Sequence, residues 1–179
     1  MNKDIENNLS QTVGLPHVDR AGLVQLLNED LAREYQAIIS YVVYSKAIKG
    51  PQYMTIAAEL EKHAAEELAH ALLLAEQIDY LGGMPTTKPN PVNTSTVADD
   101  MIRFDLNAET ETIYHYRQRV RQCEALGEYA IAEHIRGILV QEQDHQMALA
   151  TALGIDVPDA ALLAPSIDDH SRINAGIHR

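Results

Sequence analysis

Four glutamates and two histidines stand at spacings that suit metal chemistry: Glu34, the pair Glu67 and His70, Glu109, and the pair Glu142 and His145. Glu34 and Glu67 are 33 residues apart (67−34), and Glu109 and Glu142 are again 33 apart (142−109). In each case a histidine follows the second glutamate by three residues. Residues three apart on a helix share a face, so each Glu-x-x-His pair can reach one metal pair. A single Glu-x-x-His match is commonplace; two that repeat the same offset from an upstream glutamate are not. Carboxylate and imidazole donors without a thiolate suit iron or manganese, and also zinc.

The elements that must hold these residues are helical. Stepping by three or four residues gives four long apolar stripes: about 21–48, 53–81, 96–125 and 128–153. Asp19 is placed to cap the first, and Gly50-Pro51, Gly82-Gly83, Gly127 and Gly154 punctuate the ends. Each stripe is apolar except near its middle, where a Glu or a Glu-x-x-His interrupts it, and none carries Lys or Arg. An ionised carboxylate buried without a partner costs several kcal/mol, so four in one core require compensation. Two divalent cations would supply it. Short links between helices one and two, and three and four, predict two antiparallel hairpins, while the Pro- and Asn-rich segment MPTTKPNPVNTS is long enough to cross between them. Residues 1–19 read as an arm, 20–153 as the helical domain and 154–179 as a tail.

Composition removes several alternatives. A net charge of −12 and a pI near 5.0 argue against general nucleic-acid binding, which needs Lys and Arg against phosphates. Cys123 is the only cysteine, which excludes an intrachain disulfide or a thiolate cluster and fits a reducing compartment. The longest apolar stretch, AIISYVV, is far short of the ~20 residues of a membrane span, and the N-terminus shows no apolar signal-peptide core. The expectation is a cytoplasmic protein with no membrane partner.

The segments LAREYQAIISY, EKHAAEELAHALLLAEQIDYLGGMP, DLNAETETIYHY and VQEQDHQMAL resemble the ferritin superfamily, above all bacterioferritin-like and related non-haem bacterial ferritins. The likeness covers about residues 20–153. It implies an all-α, ferritin-like antiparallel four-helix bundle with one long crossover between helices two and three. It further implies Glu34 and Glu109 as terminal ligands, Glu67 and Glu142 as bridges, and one nitrogen each from His70 and His145. Leu68 stands where haem-binding relatives carry methionine, so no haem is expected. Thr112 and the lone Cys123 depart from rubrerythrin-like peroxidases, and the complete intrachain donor set departs from the small starvation-induced ferritins.

The function expected from this is a ferroxidase that binds two iron ions per chain (manganese or zinc being compatible) and oxidises Fe(II) to Fe(III) with O2 or H2O2, storing iron in a homo-oligomeric assembly. A di-iron oxidase or peroxidase without storage, and a bundle holding a structural metal, are the alternatives. Tyr41 and Tyr116, each seven residues after a ligand glutamate, are expected as core packing, with Tyr41 matching a family tyrosine beside the metals. His63 is expected as a hydrogen-bonded interior histidine, Cys123 as a small buried side chain, and Glu59, Glu61 and Glu66 as solvated charges, Glu66 also as a way in for iron. His115, His134, His170 and His178 are expected at the surface.

Overall fold

The computed structural model describes residues 18–163. Most of the arm, the tail beyond Leu163, and with it His170 and His178, lie outside the described residues. Four long helices account for the fold: α1 (Arg20–Ala47), α2 (Met54–Tyr80), α3 (Ala98–Ala125) and α4 (Tyr129–Leu153). Their ends lie within two residues of the boundaries expected from the apolar stripes. No strand occurs among the described residues.

Local chemistry sets those ends. The Asp19 carboxylate accepts from the Gly22 N–H at 2.7 Å, satisfying one of the unpaired donors of the first turn of α1. The Ser95 hydroxyl accepts from the Val97 N–H at 3.0 Å and donates to Asp100 at 2.9 Å, just ahead of α3. Asp99 and Asp100 then sit in the first turn of α3, where the helix dipole favours negative charge. The link from α3 to α4 turns at Gly127, whose φ of 77° is one that a Cβ would penalise.

The long link between α2 and α3 runs back beside α1. Asn28 accepts from the Thr86 N–H at 2.6 Å and donates to the Met84 carbonyl at 3.2 Å. Further on, the Asn90 N–H reaches the Ala32 carbonyl at 3.0 Å, Gln36 donates to Pro91 at 2.9 Å, and the Tyr44 hydroxyl donates to the Asn93 carbonyl. Gly83 starts this path because a Cβ there would lie 2.4 Å from the Val24 side chain. The segment therefore spans the bundle from one end of α1 to the other and delivers α3 antiparallel to α1.

In the resulting bundle α1 pairs with α2 and α3 with α4, and the hairpins meet through α1 against α3 and α2 against α4. Two apolar clusters fill its ends. Leu23, Leu27, Leu74, Ile78, Cys123 and Ile135 belong to one, and Tyr44, Ile56, Leu60, Ile102, Leu106 and Leu149 to the other. Between them lies a buried polar belt. Past Gly154 the chain folds back: residues 160–163 form a short 3-10 turn against α3 with Ala160 buried, and Gln146 donates to the Pro158 carbonyl at 3.1 Å. The start of the expected tail is thus packed on the bundle.

Candidate metal centre

All six expected donors enter this belt, and each is at most 3% exposed. Glu34 comes from α1, Glu67 and His70 from α2, Glu109 from α3, and Glu142 and His145 from α4. They form two overlapping groups, Glu34–Glu67–His70–Glu142 and Glu67–Glu109–Glu142–His145, with the donor atoms of each group within 4.8 Å of one another.

Glu67 and Glu142 belong to both groups, and their oxygens divide between them. Glu67 places Oε2 at 2.8 Å from His70 Nδ1 and Oε1 at 2.8 Å from His145 Nδ1. Glu142 places Oε1 at 3.1 Å from His70 Nδ1 and Oε2 at 3.6 Å from His145 Nδ1. Glu34 approaches only His70, at 3.5 Å, and Glu109 only His145, at 4.0 Å. Two carboxylates are thus shared between the groups, and two belong to one group each, an arrangement that could hold a metal ion in each group.

Several of these atoms approach one another off the line of a hydrogen bond. Glu67 Oε1, both oxygens of Glu142 and His145 Nδ1 are buried without a hydrogen-bond partner. Buried polar atoms are normally paired, so a cluster of orphaned oxygens and a nitrogen aimed at common points fits cations held there. The outward nitrogens are occupied. His70 Nε2–H donates to Gln141 Oε1 at 2.6 Å, and His145 Nε2–H to Glu66 Oε2 at 2.9 Å. Holding a proton on Nε2 leaves Nδ1 facing the carboxylates, the orientation that a metal-ligating histidine requires once Nδ1 gives up its own proton.

Without metal, protons keep the belt neutral. Burial, reinforced by Glu142 and Glu67, pushes the Glu34 and Glu109 carboxyls well above their usual range. Burial acts on Glu67 and Glu142 in the same sense, but contacts with His145 and His70 outweigh it and hold both below the ordinary value. The imidazoles respond in kind: burial alone would lower them, yet the surrounding carboxylates push His145 up to about 10 and His70 higher still.

The tyrosines do more than pack. The Tyr41 hydroxyl donates to Glu109 Oε1 and the Tyr116 hydroxyl to Glu34 Oε1, so each binds a terminal carboxylate from the other hairpin. His63 is buried, but its Nδ1 has no hydrogen-bond partner, because Tyr41 and His145 close around its ring; it stacks on His145 with centroids 4.0 Å apart. The expectation of a hydrogen-bonded histidine holds for its burial and not for that nitrogen. Glu66 is half-buried on His145 and not simply solvated, since it lies at the α2–α4 seam; Glu59 is also half-buried, beside Lys62, and Glu61 is exposed. His134 is exposed, His115 half-buried, and Cys123 fully buried, which pushes its thiol up to about 12.

The stripes also conceal charges that their apolar pattern masks. Arg119 is 2% exposed and grips Asp30 through Nε at 2.6 Å and Nη2 at 3.2 Å, with Arg33 on the same carboxylate. A buried cation therefore lies one turn from the belt, but Asp30 occupies it. Asp105, equally buried, has an unpartnered Oδ2, and burial pushes its carboxyl up to about 8.

Donor set and bundle define a carboxylate–histidine helical protein, and comparison with known proteins gives its family. The ferritin-like domain family matches residues 24–156, and the chain belongs to that family. A bacterioferritin from Desulfovibrio desulfuricans is 32% identical over 127 residues, 70% of this chain and 71% of that protein. A ferritin-like, diiron-carboxylate protein from Bacillus anthracis superposes with a TM-score of 0.72 at 33% identity, covering 75% of this chain and 96% of the other. The crystal structure of a Desulfovibrio desulfuricans bacterioferritin, described with its diiron site, gives a TM-score of 0.70 at 29% identity over 75% and 80% of the two chains.

Proposed function

We propose that this chain is a ferroxidase: it binds two Fe(II) ions between its helices through Glu34, Glu67, His70, Glu109, Glu142 and His145 and oxidises them to Fe(III) with O2 or H2O2. The observation that carries the reading is the divided Glu67 and Glu142 carboxylates, each offering one oxygen to each histidine. The diiron sites named for the Bacillus and Desulfovibrio proteins support iron as the metal.

The balance of the reaction is simple: two Fe(II) ions give two electrons, which with two protons convert O2 to H2O2 or H2O2 to water. What the protein contributes is geometry and charge. Four carboxylates neutralise two divalent ions, so loading exchanges protons for metal and leaves the interior close to neutral. The six residues are buried, which would keep bulk water from the ions, and their two imidazoles would supply one neutral nitrogen each. Tyr41 and Tyr116 fix the terminal carboxylates, so the cage holds its shape as charge on the iron rises.

Assembly into a homo-oligomer for iron storage or detoxification in the cytoplasm completes the proposal. Ile39 and Val42 lie two turns and one turn before Lys46 on α1, and Leu68 and Leu72 lie two and three turns after Glu61 on α2. Lys46 pairs with Glu61, so these exposed aliphatic residues flank one seam, and a second copy would cover them. Fe(II) added to the metal-free protein under air should consume O2 rapidly. Binding of Fe(II) without O2 consumption would leave only a structural metal site.

A further inference from the structure

The two halves of the centre are related by a sequence offset of 75 residues (109−34, 142−67, 145−70), and the offset carries through the tyrosines (116−41). The residues around the cage do not obey it. Glu66, on His145 Nε2–H at 2.9 Å, corresponds to Gln141, on His70 Nε2–H at 2.6 Å. Asp30 corresponds to Asp105, but the Arg119 and Arg33 that grip Asp30 correspond to Tyr44 and Ala108.

From this broken symmetry we infer that the two metal positions are unequal, and that the Glu109–His145 position fills first, with Glu66 as the positioning residue that sets the order. The inference rests on the metal centre proposed above. Two features act in the same direction. A carboxylate accepting the Nε2 proton makes the imidazole a stronger donor at Nδ1, whereas a neutral amide does so only weakly. The surrounding charge favours the same position. One turn from Glu34, a single carboxylate faces two guanidiniums, which leaves that side positive. Around Glu109 no guanidinium is buried among the described residues: Asp105 pairs with no Lys or Arg and keeps its proton near neutral pH, so it is uncharged, and the only Lys or Arg that Glu66 meets is the exposed Lys62, at 4.0 Å. Desolvated charges so close to a bound cation are poorly screened, unlike Lys62.

The test uses Zn(II), which takes the same donors without redox chemistry. One equivalent per chain is added to metal-free protein, and anomalous scattering at the zinc edge gives the occupancy of each position in crystals. An affinity ratio of about tenfold, typical of changes in a ligand's hydrogen-bond partner, puts about three quarters of the zinc at Glu109–His145. Glu66→Gln should bring the split towards half, and the exchange Glu66→Gln with Gln141→Glu should move the surplus towards Glu34–His70, a reversal that a merely structural role for Glu66 would not give. An even split in the unmodified protein, or a surplus at Glu34–His70, overturns the inference and leaves the centre standing. A split unchanged in Glu66→Gln overturns the role of Glu66. Zinc at neither position overturns the centre and the inference together.

Discussion

The Tyr116 hydroxyl of α3 donates its hydrogen to Oε1 of Glu34 on α1, so a residue of the second hairpin holds a terminal donor of the first. Both groups are buried, which makes the bond worth more than its surface equivalent and leaves Glu34 under-satisfied if it is lost. Tyr116→Phe keeps the ring and removes only that bond. It should lower the stability of the metal-free protein by about 1–2 kcal/mol in urea unfolding and weaken Zn(II) binding about tenfold. Unaltered zinc affinity would show that Tyr116 only fills space.

The protonation of the empty cage sets a direction for pH dependence. His145 is raised from 6.5 to about 10, so its proton stabilises the fold fully below pH ~6.5, and that contribution fades as pH rises towards 10. Asp105 is raised from 3.8 to about 8, so the folded state keeps a proton that the unfolded chain gives up, and stability again falls as pH rises across that interval. Chelator-treated protein should therefore show a falling Tm between about pH 6 and 9. Zn(II) replaces the cage protons, so the loaded protein should show a shallower slope or a rising one. A Tm that rises with pH in the metal-free protein is the outcome this account does not allow.

Asp105 itself gives a sharper test. Its carboxyl is buried with an unpartnered oxygen and no cation bridging it among the described residues. Asp105→Asn keeps shape and polarity but cannot ionise. In metal-free protein the variant should gain about 1–3 kcal/mol over the parent at pH ~9 and little at pH ~5. An equal loss at both pH values would mean that Asp105 is held by bonds the amide cannot make.

The bundle was legible in the sequence because its signals are local. Apolar stripes of helical period, breakers at Gly50-Pro51 and Gly82-Gly83 and one long Pro-rich link define four helices and their order. The six candidate donors could be read from the sequence as one buried cluster because a charged residue in the middle of an apolar stripe contradicts the stripe unless something compensates it. Tyr41 and Tyr116 were legible as core positions but not as hydrogen-bond donors, since their acceptors lie 68 and 82 residues away on the other hairpin. Asp30, Asp105 and Arg119 were missed altogether. Spacing could have found them: Asp30 and Asp105 each lie four residues before a donor glutamate, on the same inward face. That signal was lost because Asp and Arg at helical spacing normally mark a solvated surface. Glu66 was misread for the same reason, since nothing local distinguishes it from Glu59 or Glu61.

Anaerobic Fe(II) titration of the metal-free protein, with bound iron counted per chain, tests the central claim most directly. The account predicts saturation at about two Fe(II) per chain, release of protons from the carboxyls and imidazoles of the cage as it loads, and loss of both tight sites in Glu67→Ala or Glu142→Ala. No tight binding, or two ions bound unchanged in those variants, would contradict it.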